Sequence, residues 1–385
     1  MDIHDFDTIR PYEPCELHEA FDSLLNDPQF CGIIQSFYKD IPFEALKAKL
    51  YSCQSSLEFQ KTFIYPIIKD MLIKKCCKEV TMDTESIAEA DRNGSFTFVS
   101  NHRDIVLDSA FLNILLIDNH YRTTTEIAIG DNLLILPWIR TLVRINKSFI
   151  VQRSVSIREM LSSSKRMSQY MNFAINQKHE NIWIAQREGR AKDSNDRTQE
   201  SVLKMMAMGG DKTPFENLKA LNIVPLSISY EYDPCDYLKA QEFQQKRDIP
   251  DFKKSKQDDL NNMQTGIFGY KGNVHYHVSA PINTWIDEYA ELPKGQLFKA
   301  IAERMDLDIH RGYKPYAINY IAADLLHEDT AFTEHYADEE KAAFEQYIAQ
   351  RLSLIKLENK DEAFLRERIL TMYANPLLNY LKAHE

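Results

Sequence analysis

From about residue 94 onward the chain repeats one pattern, a short β-branched or aromatic run followed by a helical stretch. The runs are GSFTFVSNH, TTEIAIGD, KSFIVQR, NIWIAQREG, LNIVPLSISYEY and NVHYHVSAPI, and stretches such as DSAFLNILLI and SIREMLSSSKRMSQYMNFAINQ come between them. Parallel strands need helical crossovers, and those crossovers cover the faces of the sheet. The pattern therefore predicts an α/β fold, a mixed, largely parallel sheet flanked by helices. Helical additions are expected at both ends, because apolar residues recur at three- and four-residue spacings in residues 1 to about 80 (FCGIIQSFYKD, FEALKAKLYS, FIYPIIKDMLIKKCCKEV) and again after Pro281. The expected organisation is a helical region over 1–80, an α/β domain over 81–300 and a helical region over 301–385. A polar, Lys/Asp-rich insertion over 232–264 is expected to begin as a helix.

Composition narrows the function. With 385 residues, 44% of them hydrophobic and 27% charged, the chain has material for a large core. Its 46 Lys+Arg against 57 Asp+Glu give a net charge of -11, which argues against nucleic acid as the partner. The six cysteines form no CxxC pair, so structural zinc is not expected. The opening MDIHDFDTIRPYEPCE lacks the apolar core of a secretory signal, which makes a cytoplasmic setting with reduced thiols the expectation. No window reaches the roughly 18 apolar residues a bilayer span needs. The best, NLLILPWIRTLV, is broken by Pro137 and Arg140, so any membrane contact is expected to be peripheral.

Three strand ends carry candidate chemistry. FTFVSNHRDIVLDSAF delivers Asn101, His102, Arg103 and Asp104, then Asp108 at a helix start. Ligand crevices of open α/β sheets lie outside the carboxyl ends of the strands. An imidazole there can take a hydroxyl proton if a carboxylate fixes its tautomer. The competing reading is that an aspartate caps the helix and His102 is a half-buried structural residue. SFIVQR and IWIAQREGRAK each end an apolar strand in cationic residues, and Arg suits phosphate. Between Trp138 and Lys192 there are eleven Lys/Arg against three Glu, a local excess opposite in sign to the whole chain. Such an excess points to an anionic ligand, although part of it solvates the helix that follows Ser156.

In this order the segments resemble the glycerolipid acyltransferase superfamily, within it the bacterial glycerol-3-phosphate acyltransferase-like branch, over roughly Ser95 to Pro281. Asn101 and His102 match the family's catalytic block, with Asp108 as the charge-relay partner. Gly130, Asn132 and Leu133 resemble its G-(D/E)-N-L segment. Phe149 and Arg153 resemble the second block, whose arginine contacts acceptor phosphate. Glu188, Gly189 and Arg190 resemble the third, with Lys192 competing with Arg190 for one role. Val224, Pro225 and Tyr230 resemble the fourth, linked to the acyl-donor pocket. Two departures stand out. The family's HX4D motif has four residues between His and Asp where this chain has five, and Gly189 runs directly into Arg190 where the family has a small residue between them. Asp108 remains the expected partner, with Asp104 a second carboxylate in reach.

The resemblance implies a phospholipid-biosynthesis enzyme with no cofactor. His102 acts as general base, and acyl-CoA or acyl carrier protein is the co-substrate. The acceptor is a phosphorylated or lysolipid molecule such as glycerol-3-phosphate. The membrane lipid surface is the expected partner and the inner face of the membrane the expected location. FIYPIIKDMLIKKCCK and LLILPWIRTLVR resemble interfacial segments, with burial against the sheet as the alternative. An acyl-amino-acid acceptor, or a non-catalytic lipid-binding protein on the same scaffold, are the competing functions. No GxSxG elbow is present to support a serine hydrolase. His275 and His277 in VHYHV share a face but have no acidic or thiol neighbour in sequence, so no metal site is expected.

Overall fold

The computed structural model describes residues 2–153 and 156–385. Seven strands, β1 (Cys77–Asp83), β2 (Thr97–Ser100), β3 (Thr125–Gly130), β4 (Ser148–Val151), β5 (Asn181–Ala185), β6 (Ile223–Tyr230) and β7 (Gly272–Val278), form one sheet in the order β1-β7-β6-β2-β5-β3-β4. Neighbours run parallel throughout except β6 and β7, so the sheet is mixed and largely parallel. β2 and β6 are buried along their whole length, which is why they read as unbroken rather than alternating runs. Pro225 sits inside β6 without a backbone N–H to donate. It sits at the end of the antiparallel pairing with β7, where its carbonyl still accepts Ser279 N at 3.0 Å and a single donor is missing.

The chain starts helical, with α1 (Leu17–Leu25), α2 (Pro28–Phe37), α3 (Phe43–Tyr51) and α4 (Ser56–Phe59). Two π-helical stretches, Gln60–Ile64 and Ile67–Ile73, continue to α5 (Lys74–Cys76) and flank Pro66. Proline has no N–H to donate and clashes with the preceding turn, so a widened helix is a way to accommodate it. The helical reading of residues up to 80 is corrected here. KEV belongs to edge strand β1, whose largely half-exposed residues gave no apolar run to signal a strand. The start of the chain also joins the sheet's core: Ile150 N donates to Ile9 O at 2.8 Å, and Phe6 and Ile9 are buried with Phe149 and Tyr170.

Helices cover both faces. On one, α6 (Leu107–Asp118) packs Phe111 and Leu112 against Phe98, Trp183 and Tyr276. α7 (Pro137–Ile145) joins the N-terminal helices instead, placing Ile145 among Phe21 and Phe59. On the other face, α8 (Ile157–Asn176), α9 (Glu200–Met206) and α10 (Pro214–Ala220) pack Met171, Leu203 and Leu218 against Val99 and Ile184. The polar insertion is a helical hairpin, α11 (Asp236–Asp248) and α12 (Lys256–Phe268). α13 (Lys294–Arg311) crosses the boundary expected at residue 300 and buries Ile301 and Met305 against the sheet. α14 (Ala317–His327), α15 (Asp338–Leu354) and α16 (Glu362–His384) share a core of their own.

Candidate active site

β2, β5, β3 and β4 are mutually parallel, so their carboxyl ends open on one side of the sheet and deliver His102, Gln186–Arg190, Gly130 and Arg153 there. The loop after β2 is fixed first by Asn101. Its side chain donates to Ile228 O (2.9 Å) and accepts from Ile228 N (2.8 Å), prolonging the ladder to β6 by one rung. His102 then stands edge-on to Trp183 with ring centres 5.6 Å apart. The indole is itself tied, donating to Ser100 Oγ at 3.0 Å.

The imidazole Nδ1 lies 2.8 Å from Asp108 Oδ2, and that carboxylate is fully buried while the histidine side chain is 14% exposed. The same Oδ2 accepts Arg103 N (2.7 Å) and Asp104 N (3.1 Å). Asp108 occupies the first turn of α6, where the helix dipole favours a negative charge. Tyr276 OH donates to the Asp108 carbonyl at 2.8 Å and pins the turn from β7. A buried carboxylate on Nδ1 leaves Nε2 as the nitrogen able to accept a proton.

The fifth intervening residue is absorbed by a turn centred on Asp104. Its Oδ1 accepts Val106 N (2.9 Å) and Leu107 N (2.8 Å), so this carboxylate caps the helix and Asp108 holds the histidine. Burial, then the nearby Asp108, push the Asp104 carboxyl above its ordinary range. Gly266 of α12 closes over it, since a Cβ there would stand 2.1 Å from Asp104 Oδ2.

The basic residues divide into two sets. Arg153 N donates to Asp131 Oδ1 (3.1 Å), and its guanidinium passes Gly130 and reaches Glu188 at 3.8 Å, with both side chains well exposed. Asn132 is beside Gly130 in the same corner, whereas Leu133 ends a short 3₁₀ turn. Gly189 adopts φ +68°, a left-handed turn that glycine makes without strain. That turn sends Arg190 to the hairpin, where Nη2 donates to Asn262 Oδ1 at 3.1 Å while Nη1 is buried with no hydrogen-bond partner among the described residues. Lys192 is ion-paired with Glu242 of α11. Burial brings the Lys192 ammonium down to about 8 against the pull of Glu242. Burial would raise Glu242, but hydrogen bonds from Lys192, Lys254 and Lys246 bring its carboxyl down to about 2. Arg190 and Lys192 therefore do different things.

Much of the local positive excess is structural. Lys147 pairs with Glu180, Lys178 with Glu126 and Glu13, and Arg144 donates to Arg10 O and Asp7 O. Phe149 is a core residue.

An apolar cavity of 280 Å³ adjoins the loop between His102 and Asp108, lined among others by Phe30, Ile34, Leu46 and Phe63 from the N-terminal helices. Val106 and Leu107, between Asp104 and Asp108, complete the wall with Trp138 and Phe268. Val224, Pro225 and Tyr230 do not line it. β6 is covered on both faces, so Val224 and Pro225 lie in the sheet's core and Tyr230 packs beside Phe111. Sequence reasoning missed the cavity because its wall comes from helices far from the motifs; the available signal was the apolar faces of FCGIIQSF and FEALKAKL.

The two strand histidines do have partners. His277 Nδ1 lies 2.9 Å from Asp83 Oδ2 and His275 Nδ1 lies 2.8 Å from Thr81 Oγ1, both residues supplied by the unforeseen β1. Among the described residues no group of three or more His, Cys, Asp or Glu is placed to hold a metal.

The family model described as Acyltransferase matches residues 81–229, a span that begins in β1, includes His102, Asp108, Arg153 and Arg190, and ends in β6. Over that span the chain is similar to the acyltransferase family. This agrees with the superfamily resemblance carried by the ordered motifs. Among solved structures, the domain and its flanks are similar to the 1-acyl-sn-glycerophosphate (LPA) acyltransferase PlsC from Thermotoga maritima. That match has 13% identity, a TM-score of 0.39 and coverage of 76% of this chain and 92% of that one. At that distance the likeness carries no argument about this chain. No curated protein matches the sequence.

Proposed function

We propose that this chain is a peripheral-membrane acyltransferase that moves a fatty acyl group from acyl-CoA or acyl carrier protein to a hydroxyl of glycerol-3-phosphate or a lysophospholipid. The observation that carries the reading is the His102–Asp108 pair at the end of β2, with an apolar cavity walled by the residues just before Asp108. Asp108 holds the imidazole so that Nε2 takes the acceptor's hydroxyl proton, and the oxygen attacks the thioester carbonyl. The tetrahedral intermediate collapses, the C–S bond breaks, and the departing thiolate recovers the proton from His102. No bond to the protein forms.

The fatty chain occupies the cavity, and the fourth-block residues act by supporting β6. Arg153 and Arg190 Nη1, which has no hydrogen-bond partner among the described residues, serve the acceptor phosphate through charge-assisted hydrogen bonds. Lys192, engaged by Glu242, is the weaker candidate for that task. No helix among the described residues is long and apolar enough to cross a membrane. Ile33 and Phe268, on the cavity's wall, are exposed large apolar side chains, which supports contact with a lipid surface.

The test is an acyl-transfer assay of the purified chain with both donors against glycerol-3-phosphate, lysophosphatidate and an acyl-amino acid, paired with liposome flotation. Transfer to a phosphate-bearing acceptor and co-flotation are expected. Transfer only to acceptors without phosphate would reassign Arg153 and Arg190, and a protein that never floats would end the peripheral reading.

A further inference from the structure

A second cavity, of 270 Å³, lies where β3 begins, with Leu57 and Lys61 on one wall and Ile117, His120 and Arg122 on the other. β3 runs from Thr125 to Gly130, so roughly 17 Å of strand separates this cavity from the corner of Gly130 and Arg153. Among the described residues no carboxylate lines it. Lys61, His120 and Arg122 are exposed and form no ion pair among the described residues. The acidic residues beside them are engaged elsewhere, Asp118 by Lys69 and Tyr65 and Glu180 by Lys147 and Thr123. In a chain of net charge -11, two cations and an imidazole thus share a concave site with nothing to neutralise them.

The walls are fixed. Thr124 Oγ1 donates to Gln60 Oε1 at 2.5 Å, both side chains are buried, and the bond ties the stretch that carries Lys61 to the start of β3. Opposite, α6 closes with Tyr121 N donating to Leu116 O (3.0 Å) and His120 N to Ile117 O (3.2 Å), which puts His120 at φ +60°. Glycine takes that helix-ending conformation at least cost, yet the position is given to an imidazole that lines the cavity. Arg122 Nη2 donates to Ser95 Oγ and His179 O, and among the described residues Nε and Nη1 have no partner. A guanidinium fork beside an ammonium is the chemistry that recognises phosphate. The volume is at the low end for small-molecule sites, which begin at about 300 Å³. We propose that this cavity binds a small phosphate ester, its phosphate held by Lys61, His120 and Arg122 and its organic part set against Leu57 and Ile117. The occupant links α6, which carries Asp108 at its other end, to the stretch whose Phe63 and Ile64 line the apolar cavity. The site stands whether or not His102 is a base.

The experiment is calorimetric titration of the full chain with inorganic phosphate and with glycerol-3-phosphate, in an Arg153→Ala/Arg190→Ala background that removes the arginines assigned to the acceptor. One saturable site is expected to persist there, and its occupation is expected to raise the melting temperature. Adding Lys61→Gln/Arg122→Gln is expected to weaken binding of both probes at least about tenfold, the scale of a lost charged hydrogen bond, and to abolish the thermal shift. Lys61→Gln alone removes an exposed side chain with no bond to lose, so it serves even if the double variant fails to fold; a loss of about threefold or more is expected. His120→Gly is expected to weaken binding while leaving the unliganded melting temperature unchanged or higher, because glycine suits the left-handed turn. Absence of saturable binding in the background variant, or binding that these substitutions leave unchanged, would overturn the proposal. Vesicles of phosphatidylcholine with phosphatidate form the second arm: flotation lost with Lys61→Gln/Arg122→Gln, without binding of either free probe, would assign the cations to a lipid headgroup and overturn the small-molecule site.

Discussion

At the scale of single residues, two aspartates four positions apart have opposite duties. Asp108 binds the imidazole and two loop amides through one oxygen, whereas Asp104 caps α6. Asp108→Asn keeps the shape of the side chain but removes the charge that stabilises an imidazolium and favours the wrong tautomer. It is expected to lower kcat by about 10² to 10⁴, read by steady-state kinetics. Asp104→Ala is expected to cost about 0.5–2 kcal/mol of stability, the size of a lost helix cap, read by denaturant unfolding, with kcat reduced far less. If the two substitutions exchanged effects, the assignment would be reversed. The histidine and its candidate partners were legible in the sequence because they fall where a strand ends and a helix begins. The choice between the aspartates was not, because it depends on how a five-residue loop turns. Lys192 was misjudged for a similar reason: nothing near it in sequence announces Glu242, fifty residues away.

At the scale of elements, the pattern of alternating runs and helices was enough to read the sheet, and it failed at edge strand β1, where CKEVTMD is mostly half-exposed and has no apolar run. The hairpin was the larger surprise, since its polar composition concealed a packed contact with the loop of His102 and Asp104. Gly266→Ala places a methyl group against Asp104 with no room to spare. It is expected to cost about 1–3 kcal/mol, the usual penalty of overpacking, and to lower activity by shifting the loop. An unchanged melting curve and rate would show that α12 does not brace the site. The Glu242 cluster makes a pH prediction. The carboxyl is held at about 2 in the fold, down from 4.5, so its contribution is fully present above pH 4.5 and is lost as the pH falls toward 2. Glu242→Gln is expected to lower stability at neutral pH and to flatten that part of the stability–pH curve, followed by thermal unfolding between pH 7 and 2. An unaltered acid limb would contradict the assignment.

At the scale of the whole molecule, the N-terminal helices belong to the site. They wall the cavity beside the loop of His102, and the start of the chain is bonded to β4, so the region reads as the housing for the acyl chain in the proposed reaction. Ile34 is half-buried on that wall. Ile34→Trp is expected to shorten the preferred acyl chain and to lower kcat/KM for the longest accepted donor about tenfold, with short donors spared; a chain-length profile that did not move would place the acyl group elsewhere. Net charge of -11 is in this light an average over unlike parts. An acidic N-terminal region of 11 Asp/Glu and 4 Lys/Arg over residues 1–60 contrasts with a basic stretch from Trp138 to Lys192, much of it spent on internal ion pairs. The central claim is that His102 is the base in acyl transfer. The measurement that tests it most directly is the acyl-transfer rate of His102→Ala beside the wild type, both folded and at saturating donor. The account predicts a loss of at least about 10²-fold, and transfer by His102→Ala at the wild-type rate would contradict it.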